Sequence, residues 1–305
     1  MPRSVKYRPE IIDELISLGR IASYRSVFGH EDDAELVGAY LWNANVCANF
    51  YPLLQLTEVS LRNAIDRALS AQHQGRSWWA SGILQYRSYR RDRNAPKVVE
   101  KIEKNFRSAR EKVITEKRAR YRSSVIPSHQ EILAKADFST WEFILDSEFM
   151  GDRLIWPACL GQAFRGDWSG RTPSQLLTHT RDQVRSIRMF RNRVFHHEPA
   201  WKHSGIRSET DAVNFLNGRL RAITSMLGLI HPEQMRLAEK SGLISSVERA
   251  CTANELKRYK LRAQYKKIKT VNKLESLLEL CASANEAVLV KSYRGRGRKF
   301  LIVPA

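Results

Sequence analysis

Along most of the chain, apolar residues recur three and four positions apart, the period of a helix with one buried face. From 34 to 70 the stripe runs through Leu36, Tyr40, Val46, Phe50, Leu53, Leu54, Leu56, Val59, Leu61 and Ile65. Pro52 lies inside it, and proline removes an internal hydrogen bond and clashes with the preceding turn, so two helices are predicted. Ser128 followed by Glu131 has the form of a capping box, opening a helix through Ile132, Leu133, Phe138, Trp141 and Leu145. Residues 149–167 keep the helical spacing around Pro157, with Leu154, Ile155, Trp156, Leu160 and Phe164 as the apolar positions. Thr172-Pro173-Ser174-Gln175 supplies a cap hydroxyl, a proline at the first helical position and a glutamine at the third. A break near His179 is compatible with the pattern of the helix it opens. A further amphipathic helix is expected over 209–229, and a basic one from Asn254 to Leu280.

Only the tail changes period. In EAVLVKSYRGRGRKFLIVP two short apolar runs flank Arg294-Gly295-Arg296-Gly297, a hairpin signal in which glycines supply the positive-φ turn positions. The expected fold class is mainly α, a helical bundle with extra helices and a small C-terminal β-hairpin. Three regions are expected: an N-terminal helical segment at 1–33, a helical domain at 34–230 with a basic insertion at about 86–122, and a basic C-terminal region at 231–305.

Charge narrows the partners. The chain carries 51 Lys+Arg against 32 Asp+Glu, a net charge of +19. Such a surface repels itself unless it meets a polyanion, which makes nucleic acid the natural partner. Between 86 and 122 there are fourteen Lys/Arg and five acids, interleaved with Tyr86, Tyr89, Phe106 and Tyr121. A solvated helix face accounts for such a run as readily as a phosphate-tracking surface with rings for base stacking. The RNA contacts expected there are Arg87, Arg90, Arg91, Arg93, Lys97, Lys101, Lys104 and Arg107; in the tail they are Arg294, Arg296, Arg298 and Lys299. No apolar run is long enough to span a membrane. The opening MPRSVKYRPE lacks the apolar centre of a secretion signal, so a cytoplasmic location is expected. Cys47, Cys159, Cys251 and Cys281 are far apart and form no C-x-x-C pair, so they read as buried or free thiols.

The chemistry concentrates in MFRNRVFHHEPAW, residues 189–201. On a helix, Val184, Ile187, Val194 and Phe195 form the buried stripe, and Arg191 falls within it. A guanidinium among apolar side chains is costly unless it meets an anion, so an interface, an internal carboxylate or a substrate phosphate is expected. Asn192 and His196 are four apart, which lets the amide orient the imidazole. Pro199 stops the helix and leaves His196 and His197 at its end. Arg191 and His196 point roughly 140° apart on an ideal helix, so they share one phosphate only if the last turn loosens or a second copy faces the first. Arginine and histidine suit RNA strand cleavage by the 2′-hydroxyl, with no cofactor called for. A metal set of His196, His197, Glu198 and His203 is the weaker reading, and Pro199 with Trp201 spoils the zinc-protease spacing.

The longer string FRNRVFHHEPAW resembles the signature of Abi-like abortive-infection proteins, members of the HEPN superfamily. It has the arginine, the following asparagine, a histidine pair and a tryptophan, here Arg191, Asn192, His196, His197 and Trp201. LWNANVCANFYPLLQLTEVSLRNAI (41–65), DFSTWEFIL (137–145) and LIWPACLGQAF (154–164) are similar to other blocks of that family, so the resemblance covers roughly 35–230. It implies an all-α HEPN fold that forms a homodimer and metal-independent endoribonuclease activity in phage defence or as a toxin. It also implies, for some members, a cognate noncoding RNA. Arg191 and His196 take the catalytic roles, Asn192 orients, and His197 is a further partner. Glu58 and Arg62, an i,i+4 pair, either stabilise their helix or help hold Arg191. Position 198 is glutamate, where the nucleotidyltransferase-partnered branch carries tyrosine. The rival from another class is a non-catalytic HEPN-fold protein that holds a cognate RNA.

Overall fold

The structure is a computed structural model. It describes residues 12, 16–29, 33–73, 77–80, 82–90, 94–121, 126–260, 263–292 and 297–304. The fold is mainly helical. The helices are α1 (Leu18–Phe28), α2 (Asp33–Gln72), α3 (Lys97–Tyr121), α4 (His129–Lys135), α5 (Ser139–Phe143), α6 (Leu160–Ala163), α7 (Pro173–Phe195), α8 (Glu209–Ile230), α9 (Pro232–Lys240), α10 (Leu243–Ala250), α11 (Ala253–Tyr259) and α12 (Val271–Ala284). Strands β1 (Lys266–Ile268), β2 (Val288–Ser292) and β3 (Lys299–Ile302) form one sheet in the order β1-β2-β3.

The chain divides into two compact units, Met1–Leu53 with Phe190–Arg221 and Leu237–Ala305, and Leu54–Met189 with Ala222–Arg236. Their limits differ from the sequence boundaries at 34 and 230, because the chain enters and leaves each unit more than once.

In the second unit the core gathers Leu61, Ile65, Trp78, Phe106, Trp141, Trp156, Leu160, Val184 and Ile187, all buried. Helix α3 packs on α4 and α5. A polar node joins three segments. Buried Asp66 accepts from Trp78 Nε1 at 2.9 Å and lies 2.7 Å from His129 Nε2. The carboxylate fixes the imidazole proton on Nε2, leaving Nδ1 facing Ser77 Oγ at 3.3 Å. His129 opens α4, whose capping box forms as expected: the Glu131 amide donates to Ser128 Oγ, and Glu131 Oε2 accepts from the Ser128 amide at 2.8 Å. Lys117 and Ser128 hold the Glu131 carboxyl well below its ordinary value, at about 2. Two arginines of α7 are engaged here, Arg181 with Asp146 at 2.8 Å and Arg188 with Glu142 at 2.7 Å. Gly166 lies where a Cβ would stand 2.0 Å from Gly228 O, the closeness that lets its amide reach Leu229 O at 2.9 Å.

In the first unit Trp42, Val46, Phe50, Phe190, Trp201, Leu216 and Val247 are buried. Trp42 Nε1 donates to Ala250 O at 2.9 Å, and Trp201 stands edge-on to Tyr24 and Phe28. Lys260 is buried with its ammonium on Phe28 O (2.7 Å) and Glu209, and 3.8 Å from Glu35. A buried lysine is tolerated only with such partners. The sheet forms the expected antiparallel hairpin, β2 with β3, with Val288 opposite Ile302. Helix α12 covers one face, where Leu277, Cys281, Val288 and Val290 are buried against Ile268 and Ile302.

Five expectations are corrected. Pro52 does not divide α2, which is one helix from Asp33 to Gln72. Phe50, Leu53 and Leu54 are buried on either side of it, and burial worth about 1.5–3 kcal/mol each outweighs the roughly 3 kcal/mol of a helical proline. The helix from 129 ends at Lys135 and restarts at Ser139, since Asp137 Oδ1 accepts from the Ser139 amide at 2.8 Å. Residues 149–167 are mostly irregular: Met150 bridges to Trp156 and Arg153 has φ 63°, and the α-helical part is Leu160–Ala163. The basic stretch 254–280 is not one helix. Its middle is β1, paired parallel to β2, and Thr270 caps a new helix by accepting from the Lys273 amide at 3.3 Å. The helix opened by Pro173 runs unbroken past His179.

Candidate functional site

The C-terminal turn of α7 and the loop after it lie in the first unit. Val194 is buried and anchors the turn, as its place in the apolar stripe predicts. The helix ends in a double hydrogen bond: the Glu198 amide donates to Arg193 O at 2.9 Å and the His197 amide to Val194 O at 3.3 Å. This pairing requires a left-handed residue between helix and exit, a position that glycine usually fills. Here His197 fills it, with φ 57°. Left-handed backbone in a residue with a Cβ costs roughly 1–2 kcal/mol, so the turn keeps an imidazole where glycine is easier.

The loop beyond is pinned down. Ala200 and Trp201 are buried, the Ala200 amide donates to Asn43 Oδ1 at 2.8 Å, and Arg193 Nη1 donates to Lys202 O. Lys202 Nζ reaches Ser23 Oγ at 2.8 Å. His196 and His197 are exposed between these fixed points.

Arg191 is half-buried, as a guanidinium in the apolar stripe must be. It lies over the Phe195 ring, 4.1 Å from the centroid, and Phe195 stacks on Tyr51 at 4.7 Å and 22°. A cation over a ring face is attracted by the ring's negative π-cloud, which helps to hold the guanidinium in place. Asn192 departs from its expected role: its Oδ1 accepts from Arg191 Nη1 at 3.4 Å, and it does not orient the imidazole. The His196 amide donates to Asn192 O at 2.9 Å, while its ring makes no hydrogen bond among the described residues.

A cleft of about 510 Å³ opens beside His197, lined by Tyr40, Asn43, Cys47, Tyr51 and Val194 among others. Burial pushes the Cys47 thiol up to about 11, so it stays protonated and is no nucleophile. This cleft and Asn43 escape sequence reasoning. The signal for Asn43 is a polar residue set inside the apolar face of LWNANV.

The other expected positions scatter. Arg87, Arg90, Lys97, Lys101, Lys104 and Arg107 are exposed. Arg90 Nη1 donates to Tyr89 O at 2.9 Å, and Lys101 Nζ lies 5.1 Å over the Phe143 ring. Lys104 and Arg107 share their surface with Glu100, Glu103 and Glu111. Phe106 is buried between Trp78 and Trp79, so it is a core ring and not a stacking platform, while Tyr89 is exposed. Arg298 and Lys299 are exposed; Arg91, Arg93, Arg294 and Arg296 lie outside the described residues. Arg62 Nε donates to Asn63 Oδ1 at 3.2 Å, and Glu58 and Arg62 both fall in the second unit. Among the described residues no three His, Cys, Asp or Glu groups gather as a metal would require, and no helix is long and apolar enough to cross a membrane. The four cysteines are free thiols. No known family, characterised protein or solved structure matches the chain.

Proposed function

We propose that the protein is an endoribonuclease of the HEPN abortive-infection type, acting at the end of α7 in a homodimer. The observation that carries this reading is the helix exit itself. A guanidinium held over the Phe195 ring is followed, one turn on, by two exposed imidazoles, one kept in a left-handed conformation that glycine would adopt more cheaply. In the proposed reaction a base takes the proton of a ribose 2′-hydroxyl, and the oxygen attacks the adjacent phosphorus. The bond to the 5′-oxygen breaks, and an acid protonates that leaving oxygen, giving a 2′,3′-cyclic phosphate. His196 and His197 supply the acid and base. Arg191 stabilises the charge on the phosphoryl oxygens. With Arg191 and His196 on different flanks of the helix, a facing copy completes each site. The basic face of α3 and the tail hairpin draw the RNA in by charge. RNA cleavage in the cytoplasm, directed against phage or the host, follows from the same reading.

One observation favours a second reading, a module that holds a cognate noncoding RNA without cutting it. Asn192 is committed to Arg191, so the His196 ring lacks the orienting partner a catalytic imidazole normally has. Wild-type protein and His196→Ala incubated with total RNA in EDTA separate the two. The nuclease reading expects fragments with 2′,3′-cyclic ends from wild type alone. Equal inertness of both, with tight salt-sensitive RNA binding, assigns the holding module.

A further inference from the structure

We propose that the uncovered face of the C-terminal sheet is a binding site for the phosphodiester backbone of single-stranded nucleic acid, held by Lys267, Lys291 and Lys299. It relies on the nucleic-acid reading above for the identity of the polyanion, and not on cleavage.

The register places these lysines together. Lys267 of β1 is opposite Lys291 of β2, and Lys291 is opposite Lys299 of β3. Paired residues in a sheet project from the same face, and alternate residues from opposite faces. Val288, Val290, Ile268 and Ile302 point to the face that α12 covers, so the three lysines stand on the other one. They form a single rung across all three strands, about 10 Å from first to last at the usual strand spacing. All three are exposed, and among the described residues none is ion-paired with an acid; Lys299 rests over the Tyr265 ring at 5.1 Å.

Like charges directly opposite one another destabilise a sheet. A rung of three gains nothing for the fold and is relieved by a bound polyanion. The composition agrees, with nine Lys/Arg and three acids from 263 to 304. The next rung on this face is Leu289 opposite Leu301, and Leu301 is exposed. A charged row beside an apolar row suits a chain of phosphates whose bases are unpaired and lie flat on the leucines; a duplex keeps its base faces stacked inside and has no use for the second row. Gly297, just before β3, has φ 66°, and a Cβ there would stand 2.7 Å from Lys291 Cε, near the flexible end of that side chain.

The test uses the whole chain in EDTA, with fluorescently labelled oligouridine and oligothymidine of about 16 nucleotides, the upper end of single-strand site sizes. Oligothymidine has no 2′-hydroxyl, so its binding is independent of cleavage. The variant K267Q/K291Q/K299Q is expected to bind both oligonucleotides about tenfold or more weaker. Its plot of log affinity against log salt should be shallower by roughly 2, since each lost single-strand phosphate contact removes about 0.7. Its melting temperature should be unchanged or raised, because the repulsive rung is gone, and K267R/K291R/K299R should bind as wild type does. Unchanged affinity and slope in the glutamine variant would overturn the proposal even if RNA cleavage is intact. A loss shared by the arginine variant would assign the lysines to folding and overturn it too. If cleavage fails while both oligonucleotides show the loss in the glutamine variant only, the sheet site stands without the nuclease.

Discussion

His129 and His196 are the same side chain in two employments. His129 opens α4 and is spent on structure: its Nε2 is hydrogen-bonded to Asp66, Ser77 faces Nδ1 and the Trp79 ring stacks on it at 6.0 Å. His196 follows the last residue of α7, exposed, with a ring that the described residues leave unbonded. The Asp66–His129–Ser77 order even has the residue types of a hydrolytic triad, yet every group in it holds a chain segment in place. A titratable group with structural partners is accounted for by the fold, and one without them has to be accounted for by something outside the chain.

The contrast can be broken at several points. Asp66→Ala leaves the Trp78 indole and the His129 imidazole without their acceptor, and should cost about 3 kcal/mol or more in a urea melt. His197→Gly should go the other way, stabilising by up to about 1 kcal/mol as the left-handed position is relieved, while RNA cleavage falls. His196→Ala should shift stability by no more than about 0.5 kcal/mol, as for an exposed site with no structural role. A large destabilisation by His196→Ala would place it with His129 and dissolve the distinction. The smallest effect concerns acid. Glu131 has its folded value lowered to about 2 from an ordinary 4.5, so its capping contribution is present above pH 4.5 and is lost as the pH falls from there through 2. Hydrogen exchange at the first amides of α4 should therefore rise over that window, while the turn after α7 changes less.

Periodicity and caps made much of the helical architecture legible. The Ser128 and Thr172 starts, the α8 stripe and the tail hairpin were all readable from residue type and spacing. What failed was local punctuation judged without tertiary burial. Pro52 reads as a break because its cost is visible in sequence and the burial of Phe50, Leu53 and Leu54 is not. Residues 149–167 read as a helix because their apolar side chains are buried in irregular backbone, which burial alone does not distinguish. Strand β1 was hidden in a lysine run, KKIK, since its partner β2 is about twenty residues away and the parallel pairing leaves no short-range turn signal. At the site, the arginine in the stripe and the exposed histidine pair were legible. The committal of Asn192 to Arg191 and the grip of Asn43 on the loop were not, because they depend on rotamers and on contacts far apart in sequence.

The most direct measurement is cleavage of a DNA oligonucleotide carrying a single internal ribonucleotide, in EDTA, by wild type, Arg191→Ala and His196→Ala. The account predicts one cut, on the 3′ side of the ribose, leaving a 2′,3′-cyclic phosphate, with both variants slowed about a hundredfold or more. Cutting elsewhere in the DNA, or equal rates in all three proteins, would contradict it.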